Sequence, residues 1–136
     1  MGYFIAQYDA AMLPPKVNLE AAFGKFSETW SPKLLASVAD CHVKIAKFAG
    51  EFVWHSHADE DELFYVVAGE LMLHFAEGTV TLQAGELLVV PKGVRHKPEA
   101  TTETWVMLIE PSSTVNTGEV RNELTVAEVE VLEPPQ

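Results

Sequence analysis

The stretch GEFVWHSHADEDELFYVVAG, residues 50–69, decides the fold and carries the densest chemistry in the chain. Apolar residues typical of strands flank two histidines, His55 and His57, and an acidic run that ends at Glu62. Residues i and i+2 of a strand project to the same face, so the two imidazoles are predicted to point at one centre. A hairpin through the acidic turn would bring the Glu62 carboxylate alongside them. The stretch therefore predicts half of a metal site.

A second stretch, GELLVVPKGVRH, residues 85–96, supplies a further candidate ligand. His96 follows a Pro–Gly turn and is predicted to come from a facing strand. Three imidazoles and one carboxylate suit Mn, Fe(II), Co, Ni, Cu or Zn, and no thiolate selects zinc. In an octahedral ion this set leaves two positions open, which is typical of catalytic rather than structural sites.

The turn signals that separate short apolar runs from residue 34 onward predict an all-β domain. Short apolar runs alternate with Gly-Glu, Glu-Gly, Ala-Gly and Pro-Lys-Gly turn signals, which is typical of a sandwich or barrel. No helical crossover fits between the runs, so we expect largely antiparallel pairing. FYVV, LLVV and WVMLI are apolar at successive positions, which predicts strands buried on both faces. One face would line the barrel and the other would meet the N-terminal arm or a second subunit, so we expect a homodimer.

The two stretches together resemble the two motifs of the cupin superfamily. Residues 50–69 have glycine, His-x-His, glutamate after four residues and glycine after six more. Residues 85–96 have glycine, five residues, Pro-x-Gly, two residues and histidine. The gap between Gly50 and His55 is one residue shorter than in the usual motif. Ala100 stands where the family usually has asparagine, and this position tends to be structural. The chain is similar to the small, mannose-6-phosphate-isomerase-like microbial cupins, a likeness of fold that does not establish activity. The resemblance implies a jelly-roll antiparallel barrel with the following metal ligands: His55, His57, Glu62 and His96.

The predicted organisation has three parts. Residues 1–34 form an N-terminal arm with a short helix, for which Asn18 is the N-cap and Leu19, Ala22, Phe23 and Phe26 the apolar face. Residues 35–112 form the barrel. Residues 113–136 form a polar C-terminal tail packed on the barrel, with one more strand at best.

Composition narrows the classes of function. The 136 residues carry 9 Lys and Arg against 20 Asp and Glu, a net charge of −11, which predicts no binding to nucleic acid or anionic membranes. The longest apolar runs are too short to span a bilayer, and the N-terminus lacks a basic leader, so we expect a cytoplasmic protein. The single Cys41 excludes a disulfide framework and is predicted to be a packed apolar side chain.

Several chemically active residues have a simpler structural interpretation. His42 and His74 each stand in an apolar run without a partner at i±2 and are predicted not to be ligands. The acidic run 59–61 is predicted to be a solvated turn, as are the cations around His96, namely Lys92, Arg95 and Lys97. Five large side chains are candidates to line an apolar pocket over the metal, although most such residues are core: Trp54, Phe64, Met72, Trp105 and Met107.

The function predicted first is that of a metalloenzyme acting on a small oxygen-bearing organic substrate. One divalent transition metal per subunit would serve as Lewis acid and template for a dioxygenase, isomerase or decarboxylase reaction. Glu62 would be a ligand that also loosens to act as a catalytic base. Two alternatives stay open: a non-catalytic module that binds a sugar, metabolite or metal, and a structural cupin with vestigial histidines.

Overall fold

The computed structural model describes residues 13–133, and the regular secondary structure in this part of the chain is almost entirely strand. A single short helix in it precedes eight strands, in this order: α1 (Leu19–Phe23), β1 (Lys33–Val38), β2 (Cys41–Glu51), β3 (Glu62–Ala68), β4 (Glu70–Phe75), β5 (Gly78–Gln83), β6 (Leu87–Val90), β7 (Lys97–Pro111) and β8 (Glu130–Val131). The predicted all-β class with a short N-terminal helix is confirmed. Within residues 13–133 no helix has the length and apolar character needed to cross a bilayer.

The sheet curls because its longest strand, β7, forms hydrogen-bonded pairs with three other strands. The strands follow the order β5-β4-β7-β2-β1-β8, and β3 joins β7 to β6. The 15-residue β7 pairs with β2 along most of its length, with β4 near its start and with β3 further along. All these pairs are antiparallel, as predicted, and the short contact of β1 with β8 is parallel. The strands therefore enclose one interior.

The interior is filled by every second residue of the central strands. Phe64 and Val66 of β3 and Val106 and Leu108 of β7 belong to the main buried cluster. Alternate side chains of a strand point to opposite faces, so these four face inward together. The site described below opens into the same interior.

The outer face of the same strands is covered by the N-terminal arm. Asn18 caps α1, since its side chain accepts a hydrogen bond from the Ala21 N–H at 2.9 Å, as predicted. The helix places Phe23 flat on Trp105, with ring centroids 4.5 Å apart. Met107 packs against the second buried cluster, to which Phe23 belongs. The arm and a second subunit were the two partners predicted to cover this face. In this single chain the arm packs on it, through Phe23.

A buried lysine ties both ends of the described chain to the barrel. Lys33 of β1 is 2% exposed, and its ammonium lies 2.9 Å from Glu28 and 3.2 Å from Glu130. Burial lowers the pKa of Lys33, but the two carboxylates outweigh burial and raise it above 10.5. The hydrogen bond from Lys33 lowers the pKa of Glu28 to about 2. These three residues, which form the Lys33 clasp, hold the arm, β1 and the tail together.

The turns follow the glycine and proline signals. Gly69 has φ +96 and Gly85 has φ +89, as expected for turns that need positive φ. A Cβ on Gly69 would lie 2.6 Å from the Thr104 hydroxyl, so this turn has no room for another residue. β6 ends at Val90, directly before Pro91, because proline cannot donate to the strand ladder.

Candidate metal centre

Two histidines from separate motifs are joined through their backbones. The N–H of His55 donates to the carbonyl of His96 at 3.0 Å, and the N–H of His96 donates to that of His55 at 2.9 Å. They form an isolated bridge outside the named strands. Gly93 donates its N–H to the carbonyl of His57 at 2.8 Å, which extends the contact to the second histidine of the first motif.

Glu62 reaches the histidines by a different route from the predicted hairpin. It opens β3, which pairs with β6 and β7 and not with the His55–His57 segment. The acidic turn before it is fixed by Asp61, which accepts a hydrogen bond from the backbone N–H of Lys92 at 2.8 Å. That contact anchors the turn to the loop that leads to His96. The hairpin expectation was wrong because the turn is held by this loop and not by a paired strand.

The four predicted side chains come together in the barrel. Each offers a nitrogen or carboxylate oxygen, and these atoms all lie within 4.8 Å of one another at buried positions. The Glu62 Oε1 atom is 3.3 Å from the Nε2 atom of His57 and 3.4 Å from that of His96. None of these three buried atoms has a hydrogen-bond partner among the described residues. Such atoms are rare in folded proteins, and a bound cation would satisfy all three. The donor set therefore fits a metal ion.

Two of the rings are oriented by the carbonyl two residues before them. The Nδ1 atom of His55 is 2.9 Å from the carbonyl of Val53, and that of His96 is 3.0 Å from the carbonyl of Val94. A carbonyl only accepts, so both Nδ1 atoms carry the proton, and each Nε2 lone pair is left for a ligand role. Burial, with the neighbouring His96, lowers the pKa of His55 to about 4. At neutral pH His55 is therefore the uncharged form that binds metals.

A second buried carboxyl lies beside Glu62. Burial raises the pKa of Glu62, but the rings of His57 and His96 and the carboxyl of Glu110 outweigh it and hold that pKa well below 4.5. Burial and the negative charge of Glu62 raise the pKa of Glu110 well above 4.5. The Lys44 ammonium is 2.7 Å from the far side of Glu110, with both side chains almost fully buried.

Lys44 and Glu110 are residues that the sequence reasoning missed. Glu110 pairs with His42 across β2 and β7, and Lys44 pairs with Leu108, so these side chains point into the barrel. The available signal was the alternation of inward and outward side chains along a strand. Glu110 is an even number of positions from Val106 and Leu108, so it shares their inward face. A Lys and a Glu at alternate positions of two apolar runs could have suggested a buried pair.

A cavity lies against one side of the cluster. It is small, with a free volume of about 20 Å³, and His55 and Glu62 form part of its wall. Phe48, Phe52, Phe64 and Trp30 supply most of the remaining wall together with Leu108 and two prolines. The Trp30 ring stacks on Phe48 and Phe52 at centroid distances of 4.3 and 4.7 Å.

Of the five residues proposed to line the pocket, Phe64 alone does so. Trp105 and Met107 pack on the outer face, because they have the opposite parity to Val106 and Leu108. Trp54 lies under the Arg95 guanidinium, 4.9 Å from the ring centre. Met72, half-buried on β4, is outside the wall.

The C-terminal tail closes over the first motif. Gly118, at φ +62, packs so closely that a Cβ would lie 2.1 Å from the carbonyl oxygen of Ser56. Asn116 lines the cavity, and its amide is fixed by the tail itself: Nδ2 donates to the carbonyl of Leu124 and Oδ1 accepts from the Val126 N–H, each at 2.9 Å. Ser113 donates its hydroxyl proton to Glu60 at 2.8 Å.

The other candidate residues have structural partners. The two ring nitrogens of His74 each lie 2.7 Å from a side-chain oxygen, one of Thr79 and one of Glu99. His42 is buried near Lys44 and, like His74, is outside the cluster of four. Lys92 and Arg95 are exposed, and Lys97 pairs with Glu51. None of these three cations is part of the cavity wall described here.

Residues 41–110 match a protein family described as "Cupin domain", over slightly more than half of the chain. The chain belongs to the cupin family. The motif resemblance and the expected cupin-type barrel are thereby confirmed. Cupins commonly bind metals, and the buried cluster of this cupin is able to hold one.

Three relatives illustrate the range of this likeness. The uncharacterized protein YdbB of Bacillus subtilis is 36% identical over 94 residues, which are 68% of this chain and 83% of YdbB. A crystal structure of a cupin-2 domain containing protein from Shewanella frigidimarina is 48% identical, with a TM-score of 0.69, covering 70% of this chain and 93% of that one. Hydroquinone 1,2-dioxygenase from Sphingomonas, with 4-hydroxybenzoate bound, is 23% identical with a TM-score of 0.62. That match covers 71% of this chain and 32% of the dioxygenase, and it shows the fold alone.

Proposed function

We propose that this cupin binds one divalent transition metal ion and uses it on a small oxygen-bearing organic molecule. The ion would be Fe, Mn, Ni, Zn or Cu, and its ligands would be His55, His57, Glu62 and His96. The single observation that supports this proposal is the group of unpartnered buried atoms: Nε2 of His57, Nε2 of His96 and Oε1 of Glu62. Without a cation, only the contacts of Glu62 with the two rings, at 3.3 and 3.4 Å, offset the cost of burying these atoms together.

The bound ion would supply Lewis acidity and a template for the oxygen atoms of the molecule. The protein does the positioning. The carbonyls of Val53 and Val94 fix the His55 and His96 rings, and four aromatic side chains line the adjoining cavity. Glu62 is the one acidic residue among the described wall residues, and its carboxylate is the group we propose as the base of a dioxygenase, isomerase or decarboxylase reaction.

A non-catalytic binding module is the second candidate, and one observation favours it. The Oε1 atom of Glu62 contacts the Nε2 atoms of His57 and His96, at 3.3 and 3.4 Å, so the carboxylate is committed to the ligand cluster and is not free to take a proton. The two functions differ in turnover. A metal-loaded protein that converts a member of a substrate panel is an enzyme, whereas saturable binding with no conversion supports the module.

Metal content of freshly purified protein tests the site. We expect about one ion per chain in the wild type, a large loss in His57→Ala, and wild-type content in His74→Ala. His74 is the matched control because it is half-buried in the same barrel but bonded to Thr79 and Glu99. Equal metal content in the two variants, or none in the wild type, would contradict the assignment.

We further propose that two copies pair through the exposed apolar face of β6. Leu87 and Val89 are 58% and 47% exposed, and their cross-strand partners Tyr65 and Leu63 share that face. Exposed apolar patches of this kind mark interaction surfaces. Light scattering should give a dimer mass for the wild type and a monomer mass for Leu87→Lys, whereas a monomeric wild type would contradict the proposal.

A further inference from the structure

A buried row of ionisable side chains crosses three neighbouring strands beside the metal cluster. Strand β7 lies between β2 and β3, and Leu63 of β3 pairs with Ile109 of β7. One position away on each strand, Glu62 therefore lies opposite Glu110, and both side chains are buried. Lys44 of β2 contacts Glu110 from the other side. The row runs from the Lys44 ammonium through Glu110 to the proposed ligand Glu62.

The two oxygens of Glu110 have different surroundings. Oε2 accepts a hydrogen bond from the Lys44 ammonium at 2.7 Å. Oε1 is buried and meets no donor among the described residues. The side chain of Glu110 is also hydrogen-bonded to that of Glu62. Two carboxyl groups form such a bond only through a proton that one of them keeps. Because Oε2 faces the ammonium, Oε1 is the oxygen of Glu110 that is left for this bond.

Glu62 is the acceptor in this bond because of its other contacts. Its Oε1 atom lies 3.3 Å from Nε2 of His57 and 3.4 Å from Nε2 of His96, so it faces the centre of the proposed ligand set. A carboxyl group that binds a cation gives up its proton, so Glu110 is the partner that keeps one. A hydrogen bond to a carboxylate is of the strong, charge-assisted kind. Such a bond fixes the direction in which Glu62 presents its free oxygen.

Stability alone does not account for this row. A buried ion pair has to recover the cost of removing two charges from water, and apolar residues of similar volume are often at least as stabilising. Glu62 adds to that cost, because it brings a second carboxyl group against Glu110. A metal ligand gains from the same neighbours, since a group that is hydrogen-bonded to a ligand orients it.

We infer that Glu110 and Lys44 are positioning residues for the proposed metal centre. Glu110 donates a hydrogen bond that fixes the Glu62 carboxylate, and Lys44 holds Glu110 from the far side. Neither residue belongs to the cluster of four whose donor atoms lie within 4.8 Å of one another. This inference rests on the proposed function, since the positioning of Glu62 matters to a ligand site only if that site binds metal.

The test measures Co(II) binding by the full chain after its metal has been removed. Competition with a chelator gives the dissociation constant, and the visible absorption of Co(II) reports the arrangement of its ligands. Glu110→Leu cannot donate to Glu62. It should weaken Co(II) binding about 10–100-fold, as is usual when a group that orients a ligand is lost, and it should change the absorption spectrum.

Glu110→Gln is the matched conservative variant. Its amide keeps an N–H group for Glu62 and an oxygen for Lys44, so Co(II) affinity and spectrum should stay close to those of the wild type. Should Glu110→Leu fail to fold, the double variant Lys44→Met/Glu110→Leu replaces it, because it leaves no buried charge without a partner. The double variant should regain stability and still bind Co(II) about 10–100-fold more weakly than the wild type.

Lys44→Met separates positioning from simple electrostatics. The loss of a positive charge near the site would by itself strengthen the binding of a cation. We expect the opposite, a weakening of about tenfold, because Glu110 loses the group that holds it.

Phe23→Ala is the control for lost stability. Phe23 is fully buried against Trp105 on the outer face of the sheet. This variant should melt at a lower temperature and keep the Co(II) affinity and spectrum of the wild type.

Four results would overturn the inference. Wild-type affinity and spectrum in Glu110→Leu, or in the double variant, contradict the positioning role and leave the metal site standing. Equal losses in Glu110→Gln and Glu110→Leu contradict the role of the donated hydrogen bond. Unchanged or tighter binding in Lys44→Met contradicts the part assigned to Lys44. Wild-type protein that binds no Co(II) contradicts this inference and the proposed function together.

Discussion

His55 and His96 hold each other by a reciprocal pair of backbone hydrogen bonds, at 3.0 and 2.9 Å. The two residues are 41 positions apart in sequence, and their contact joins the loop that follows β2 to the loop that precedes β7. Their side chains are therefore positioned by main-chain bonds that do not depend on an ion. We therefore expect the four side chains to keep these positions when no metal is bound.

Removal of the metal should leave the fold intact. We expect unchanged far-ultraviolet circular dichroism after chelation, because backbone bonds and the aromatic core hold the site segments together. The melting temperature should fall, since a ligand at about 100 times its Kd stabilises the native state by about 2.7 kcal/mol. Calorimetry with and without chelator measures this. Loss of the β-sheet signal on chelation would show that the ion, and not the chain, organises the barrel.

Gly118→Ala should detach the tail from the first motif. The left-handed conformation alone costs an alanine about 1–2 kcal/mol, and the Cβ would in addition lie 2.1 Å from the Ser56 oxygen, so the tail must move. Urea unfolding should show the loss of stability, and metal titration should show weaker binding.

Gly50→Ala is the control for that change. Gly50 also has positive φ, at +85, but a Cβ there meets nothing within 4 Å. It should lose only the conformational part of the stability. Equal losses in the two variants would mean that the Gly118 contact contributes nothing.

Breaking the Lys44–Glu110 pair should cost more than deleting it. Glu110→Leu leaves the Lys44 ammonium buried without its partner, which destabilises by about 3–5 kcal/mol. The double variant Lys44→Met/Glu110→Leu removes the stranded charge and should recover much of that loss. Denaturant unfolding of both single variants and the double variant gives the coupling free energy. Simple additivity would mean that the pair is not coupled in the folded protein.

The Lys33 clasp should stabilise the fold in a defined pH window. The pKa of Lys33 is raised above 10.5, so its contribution is complete below 10.5 and is lost as the pH rises through the higher folded value. The pKa of Glu28 is lowered from 4.5 to about 2, so its contribution is present above 4.5 and is lost as the pH falls toward 2. Both contributions are complete between these limits.

Melting temperatures of wild type and Lys33→Met measure this window. The difference should be small, because Glu28 is half-exposed, and largest near neutral pH. It should shrink in acid and in strong alkali. A difference independent of pH would assign the role of Lys33 to packing over the Phe26 ring and not to charge.

The sequence predicted the four side chains that the structure brings together because their spacing is local. His55, His57 and Glu62 lie within eight residues of one another, which keeps them close, although the two histidines lie in the loop after β2 and not in the strand that was predicted. His96 was predicted from the Pro–Gly turn before it and then matched the family motif, but its approach to the other three depends on distant pairing. Their role as metal ligands stays a prediction.

The aromatic wall could not be predicted from the same information. In WVMLIEP every position but Glu110 is apolar or proline, so composition does not tell the inner face from the outer. The register with β2 decides this, and it turns Trp105 out and Val106 in. Trp30 belongs to the arm, and nothing local in WSPK indicates that its ring enters the barrel.

Trp30 gives the N-terminal arm a second structural role, as part of the cavity wall inside the barrel. Its backbone N–H donates to the carbonyl of Lys47, its φ is +57, an unusual value for a bulky residue, and its ring forms part of the cavity wall. The same arm seals the outer face of the sheet through Phe23. By thermodynamic reciprocity, a molecule whose binding in the interior depends on the position of Trp30 must in turn change how firmly the arm is held. Protection of the arm from proteases thus becomes an external gauge of what occupies the interior.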